Sequence, residues 1–342
     1  METPQTYLIK LLQEAAKKNA VLLHLSVGAS PQIKVGSRYL PADGSILEKE
    51  TALKIIEQIL SEEERLKLEQ KREIVTVKEI DKNLRFRINI YFQKGLPAIS
   101  FYYISDQIRE LSSLNLPTSI TDFIKASSGL LVVAGSLGSG KSSTAASIIE
   151  EINKSQAKHI VTIEEAVDRS FTSKESIIEQ RQVGRDTLGY SEAIKYCLKE
   201  DIDLVYINGI RDELESGLLS IMELASGNSK VILELNADSS IEIIDRLSSI
   251  LSKSLSEVSS RYTLADNLFG IIVQKLIYGR GGDANMAAEI LIANSVIKSY
   301  IREGKYQQIE SVIQTSKKEG MLSMEKSIND LIQSGKIKAE DL

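Results

Sequence analysis

Cysteine, histidine, clustered basic charge and long apolar runs are all scarce in this chain of 342 residues, and each scarcity removes a class of function. The single cysteine, Cys197, excludes an internal disulfide and suits a reducing compartment. It lies in the helically spaced run "SEAIKYCLKE", where a buried packing role is expected and no redox role is needed. The two histidines, His24 and His159, are far apart and have no ligand-spaced cysteines, so a zinc site or a histidine-based triad has little support. Net charge is -5 without a long basic run, which leaves out the broad positive field that duplex nucleic acid requires; nucleic acid is not an expected partner. No apolar run approaches the roughly 18 residues of a membrane span, and the opening "METPQTYLIKLLQEAAKKNA" has no charged-then-apolar signal pattern. The expectation is a cytoplasmic protein with no direct membrane span, peripheral to a membrane only through a partner.

What is present fits an ordinary soluble protein: 42% of residues are hydrophobic and 26% charged. At roughly 100 to 200 residues per domain, the length predicts two domains. Residues 1–104 read as α+β. Leu8, Leu11, Leu12 and Ala15 have helical spacing, "VLLHLSV" reads as a strand, and "PQIKVGSRYL" as a hairpin around Gly36 and Ser37. Ser61 with Glu64 three residues on forms a capping box before "EEERLKLEQKR", and "REIVTVKEI", "LRFRINIYF" and "PAISFYYI" read as successive strands. Residues 105–119, "SDQIRELSSLNLPTS", are polar, are broken by Pro117, and read as a connection. From residue 120 to 342 the apolar runs "GLLVVAG", "HIVTIEE", "DLVYING" and "KVILELN" alternate with helical segments, which predicts a sheet covered by helices and hence an α/β domain.

The strongest chemical signal is "GLLVVAGSLGSGKSSTAASIIEEIN". Gly135, Gly140, Lys141 and Ser142 stand at the spacing G-x-x-x-x-G-K-[ST], after a predicted strand and opening a predicted helix. Glycines let backbone N–H groups curl around phosphates, and the helix N-terminus adds positive potential. The expected cradle is Gly135, Ser136, Gly138, Ser139, Gly140, Lys141, Ser142 and Ser143, with Lys141 on the terminal phosphates and Ser142 ligating Mg²⁺ of bound ATP.

Two further sets are open to more than one reading. Glu164 and Glu165 end the strand "HIVTIEE", as a solvated turn or, beside the phosphate loop of a doubly wound sheet, as candidate catalytic carboxylates orienting water on Mg²⁺. Arg85 and Arg87 alternate with apolar positions on one strand, so both point to one face, either solvated or meeting phosphate.

With these residues in view, the chain resembles the PilT-like retraction ATPases of type IV pili, within the type II and type IV secretion ATPase superfamily. "HLSVGASPQIKVGS" is similar to that family's "DLHLS...P..RV.G", "LRFRINIYFQ" to its "RFRVN" strand, and "HIVTIEEAVD" to its Asp box "TIEDPIE". "QRQVGRDTLGYSEAIKYCLKEDID" resembles "QREV..DT..F..AL...LREDPD", and the tail from "AAEILIANSVIKSYIREGKYQQIESVIQTSKKEGM" onward also matches the family in order. The resemblance implies a PAS-like N-terminal domain followed by a RecA-like P-loop domain with a helical C-terminal part. It further implies a hexamer of like or mixed PilT-like subunits, an inner-membrane pilus platform protein as partner, and Arg85 and Arg87 on the nucleotide.

Departures fall on the catalytic positions. "INGIRD" stands for the family's Walker B "VGEMRD", with Gly209 for the glutamate that assists hydrolysis. In "VILELNADSS", matching "VFGTLHTTSA", Asn236 occupies the histidine position; Tyr102 replaces an arginine, and Glu165 and Ala166 replace aspartate and proline of the Asp box. The pattern implies an ATP-binding accessory or regulatory paralogue in twitching motility or secretion, with weak or no hydrolysis. An active hexameric retraction ATPase using Glu164 is the alternative, and a RecA-like nucleic-acid motor is a more remote one. A glutamate returned to position 209 is expected to raise turnover unless Gly209 holds a positive φ.

Overall fold

The computed structural model describes residues 3–341 apart from 19, 37, 82–83, 105–106, 115, 118 and 280–283, with the backbone alone at 81. Ser37 of the expected hairpin, and Ser105, Asp106, Asn115 and Thr118 of the expected connection, lie outside the described residues. The chain forms two compact units. One is built from residues up to Gln107 together with Ala166–Ser170, the other from Ile108–Glu165 and from Phe171 onward.

The first unit contains α1 (Pro4–Lys17), β1 (Leu22–Ser26), β2 (Gln32–Val35), β3 (Arg38–Pro41), α2 (Lys49–Ile59), α3 (Glu62–Lys71), β4 (Glu73–Asp81), β5 (Leu84–Gln93) and β6 (Leu96–Ile104). Its strands make a 6-stranded antiparallel sheet in the order β3-β2-β1-β6-β5-β4. α1 buries Leu8, Leu11, Leu12 and Ala15, the positions its spacing predicts, and α2 buries Ala52, Ile55, Ile56 and Ile59 beside them. Each fully buried Leu or Ile contributes about 1.5–3 kcal/mol. The capping box forms as expected: Glu64 accepts from the Ser61 N–H at 2.8 Å, and the Glu64 N–H donates to Ser61 Oγ at 3.3 Å. The same carboxylate accepts from Thr76 and Lys78, both at 2.7 Å, so the cap also ties α3 to β4.

The second unit contains α4 (Ser119–Lys125), β7 (Gly129–Gly135), α5 (Lys141–Ser155), β8 (His159–Glu164), β9 (Ile177–Gln182), α6 (Tyr190–Cys197), β10 (Leu204–Asn208), α7 (Leu214–Ser226) and β11 (Lys230–Leu235). It continues with α8 (Ser240–Leu251), α9 (Glu257–Asn267), β12 (Leu268–Tyr278), β13 (Ala284–Ile292), α10 (Ser295–Glu303), α11 (Ile309–Thr315) and α12 (Met324–Gln333). The 7-stranded sheet runs β13-β12-β7-β11-β10-β8-β9, parallel except for β13. β7, β10 and β11 are buried along their whole length, as apolar runs covered on both faces should be. Cys197 packs in this core as expected, and burial pushes its thiol up to about 11, which leaves it unreactive.

Alternation along the strands assigns the two faces. Leu131, Val133, Ile160, Leu204, Tyr206 and Ile232 pack with Ile148, Ile149 and Ile152 of α5. Val132, Ile163, Ile207 and Leu233 pack on the opposite face, with Leu218 and Ile221 of α7. The chain leaves β7 through α5 and returns as β8, yet β11 and β10 lie between those two strands. Glu164, at the end of β8, is therefore separated by two strands from β7, which feeds the glycine-rich loop. The glutamate on the neighbouring strand is Glu234 of β11.

Candidate functional site

β7 delivers the chain into the glycine-rich loop, and α5 starts at Lys141. At Gly135 the backbone has φ +142°, and a Cβ there would stand 2.3 Å from Gln274 O and 2.5 Å from Ser139 Oγ, so only glycine closes the loop this tightly. Gly140 is the helix N-cap and offers no side-chain cap, so the first-turn N–H groups keep their capacity for an acceptor from outside. Lys141 Nζ donates to the carbonyls of Gly135 and Ser136, both at 2.9 Å, which folds the ammonium back over the loop. Burial holds its pKa below the ordinary lysine value; the Glu234 carboxylate opposes that shift, and Arg211 adds to it. The Ser139 hydroxyl is buried with no hydrogen-bond partner in the chain, an orphaned group of the kind a phosphate oxygen satisfies.

The predicted cradle, from Gly135 and Ser136 through Gly138, Ser139, Gly140, Lys141 and Ser142 to Ser143, is thus one loop and one helical turn. Next to it lies a polar row on the α5 face of the sheet that sequence reasoning missed. Ser142 Oγ donates to Glu234 Oε2 at 3.1 Å, and Tyr206 Oη donates to the other oxygen of Glu234 at 2.5 Å. Gln274 Nε2 donates to Thr144 Oγ1 at 2.6 Å. Glu234 is only 5% exposed. The signal for it was an acid in the middle of the apolar run "KVILEL", which burial alone cannot explain. Farther along the same face, Glu164 accepts from Thr162 Oγ1 at 2.7 Å and from Gln180 Nε2 at 3.4 Å.

The end of β10 is built differently. Gly209 has φ +85°, and a Cβ there would sit 2.7 Å from Glu165 Cβ and 2.7 Å from Tyr190 Oη. Tyr190 Oη donates to Asn208 O at 2.7 Å and the Glu165 N–H to the same carbonyl at 3.3 Å, so both neighbours are anchored. A glutamate placed at 209 would meet strain and a clash together. The positive φ that opposes the expected gain from that substitution is thus present, and the crowding adds to it.

Within the first unit, Arg85 and Arg87 of β5 do share a face, and both reach residues that follow Glu165 in the chain. Arg85 donates to Ser170 Oγ at 3.1 Å and Val167 O at 3.3 Å, and Arg87 lies 3.6 Å from Asp168. Tyr102 is the cross-strand partner of Arg87, and Asn236 is exposed, with its carbonyl accepting from Arg246 at 3.3 Å.

A family model described as type II/IV secretion system protein matches residues 103–336. The chain belongs to this family. Over 332 residues it is 31% identical to the type IV pilus retraction ATPase PilT of Pseudomonas aeruginosa, covering 97% of this chain and 96% of that protein. It is 24% identical over 341 residues to the type IV pilus ATPase PilU of the same organism, covering 97% of this chain and 86% of PilU. A crystal structure of the pilus retraction motor PilT with bound ADP superposes with a TM-score of 0.81 at 31% identity, covering 97% of this chain and 95% of that one. The Legionella pneumophila ATPase DotB shares the fold, with a TM-score of 0.81 at 20% identity over 99% of this chain and 94% of DotB. The secretion-family fold is the one expected, a PAS-like α+β domain followed by a RecA-like P-loop domain.

The site of this family member fits a magnesium nucleotide. Among the described residues there is no group of three or more His, Cys, Asp or Glu able to hold a metal ion. Mg²⁺ in phosphate sites needs no such cage, because phosphates, waters and one or two protein oxygens complete its shell. Ser142 and the carboxylate bonded to it are the protein oxygens present. Among the described residues no helix is long and apolar enough to cross a membrane.

Proposed function

We propose that this chain binds Mg-ATP in the Gly135 to Ser143 cradle and serves a type IV pilus or a related secretion machine as an accessory or regulatory subunit with slow or absent hydrolysis. The observation that carries the reading is the contrast within one sheet edge. The cradle has every residue of the phosphate-loop pattern, while the position that resembles the family's Walker B glutamate is a glycine hemmed in by Glu165 and Tyr190. The likeness to PilT and PilU supports the pilus setting, twitching motility included. The subunit would work in a hexamer, alone or mixed with PilT-like chains, in the cytoplasm and peripheral to the inner membrane through the pilus platform protein. Domains would divide at 1–104 and 120–342, joined by 105–119.

A second reading, an active retraction ATPase, is favoured by the retained Glu164, held by Thr162 and Gln180, and by the second carboxylate at Glu234. ATP binding and phosphate release on one purified sample separate the two. Tight binding with turnover near background supports the regulator; turnover in the ordinary enzymatic range that disappears in Lys141→Ala supports the motor.

A further inference from the structure

Glu234 is a buried acid on the α5 face of the second unit's sheet, bonded to Ser142 and Tyr206 and acting on the charge of Lys141. A carboxylate 5% exposed on β11, beside a loop built for phosphates, repels an anionic ligand unless cations offset it; Lys141 is one such cation, and a divalent metal at the carboxylate would be a second. Its two oxygens are already oriented. Tyr206 fixes Oε1 from β10, and Oε2 faces Ser142 Oγ at 3.1 Å. Two oxygens bound cis to an octahedral Mg²⁺ at its usual 2.0–2.1 Å bond length stand about 2.9 Å apart. The Ser142 and Glu234 oxygens hold nearly that spacing, so a metal could enter between them with little movement of either side chain.

We propose that Glu234 is the metal-holding carboxylate of this site: together with Ser142 it binds the Mg²⁺ of the nucleotide, in a chain whose β10 tip at Gly209 has no room for an acid. The inference rests on the nucleotide-binding reading above. It assigns Tyr206 as a positioning residue, which aims the carboxylate and does not touch the metal. It also accounts for an acid in a strand where an apolar residue would pack more cheaply, since desolvation of the carboxylate is offset once a divalent cation is bound.

The test is the effect of Mg²⁺ on ADP affinity, measured by calorimetry with Mg²⁺ and again with EDTA, for wild type and Glu234→Gln. Glutamine keeps the size of the side chain and an oxygen for Tyr206, and melting curves without nucleotide check that it folds. The wild type should bind ADP tenfold or more tightly with Mg²⁺. In Glu234→Gln that enhancement should fall to threefold or less while EDTA-state binding tightens, because a carboxylate no longer faces the phosphates. Electron paramagnetic resonance of Mn²⁺ with ADP should show tenfold weaker metal retention in the variant. An undiminished Mg²⁺ enhancement, or affinity lost equally with and without metal, would overturn the proposal and leave Glu234 a structural acid. If wild type binds no ADP in either buffer, the nucleotide reading itself fails, a result distinct from these. Should Glu234→Gln melt early, Tyr206→Phe replaces it and must lower the Mg²⁺ enhancement at least threefold; no change there overturns the proposal equally.

Discussion

In one sheet, Gly138, three residues beyond the end of β7, and Gly209, directly after β10, both have positive φ and have opposite surroundings, although Gly135 at the end of β7 itself is crowded. At Gly138 in the loop after β7, φ is +80° and a Cβ would meet nothing within 4 Å. At Gly209 after β10, φ is +85° and a Cβ would strike Glu165 and Tyr190 at 2.7 Å. The backbone strain of a side chain is therefore similar at the two positions, and the difference lies in what surrounds them. Open space lies beside one glycine, whereas the protein's own side chains fill the space at the other. At the β10 tip a side chain larger than glycine would have to displace anchored neighbours, Glu165 and Tyr190.

A bulky side chain at the crowded glycine should be the most damaging change. Gly209→Glu should destabilise the chain by about 2–4 kcal/mol, through positive-φ strain and overpacking together, and should not raise phosphate release. Gly209→Ala set against Gly138→Ala isolates the clash, since their φ values nearly match; the first should cost at least about 1 kcal/mol more in chemical denaturation. At the open end, Lys141→Ala should weaken Mg-ATP binding tenfold or more, about 1.4 kcal/mol, by calorimetry. Away from both strand ends, Glu64→Ala removes a cap and its bridges to Thr76 and Lys78, and should cost about 1–2 kcal/mol.

The smallest expected effect is pH-dependent. Burial alone would raise the pKa of Asp203, but the bonds from Lys158 and from the His159 N–H outweigh it and hold the carboxyl below the ordinary aspartate value. With the folded value lowered, the ionised form stabilises the fold fully above about pH 4, and that contribution fades as pH falls through the lowered value. Asp203→Asn should therefore lose less than about 1 kcal/mol at neutral pH, since the pair is partly exposed. Its deficit against wild type should shrink toward pH 3 in melts across the acid range.

Periodicity was enough to place α1, the strands of the first sheet and the buried parallel strands, because one buried face or two leave a direct record in residue spacing. The capping box at Ser61 and Glu64 and the phosphate loop were legible for the same reason: both are local, set by contacts three to six residues apart. Sheet order was not legible, since it depends on which strands the crossovers skip. Spacing alone therefore points to Glu164 at the end of "HIVTIEE" and not to Glu234, whose bond to Ser142 exists only because β11 lies beside β7. The crowding at Gly209 was equally hidden, because Glu165 and Tyr190 come from separate elements that meet only in the folded sheet.

The proposed function holds that nucleotide binding is kept at a site whose β10 tip carries glycine in place of a hydrolytic carboxylate. Steady-state phosphate release at saturating Mg-ATP, on protein whose ATP affinity has been measured in the same buffer, tests it most directly. Loss of a positioned catalytic group from an enzyme of ordinary turnover predicts saturable binding with a rate of about 0.001–0.1 per second. A rate of about 1 per second or more that vanishes in Lys141→Ala would contradict the claim and establish a working motor.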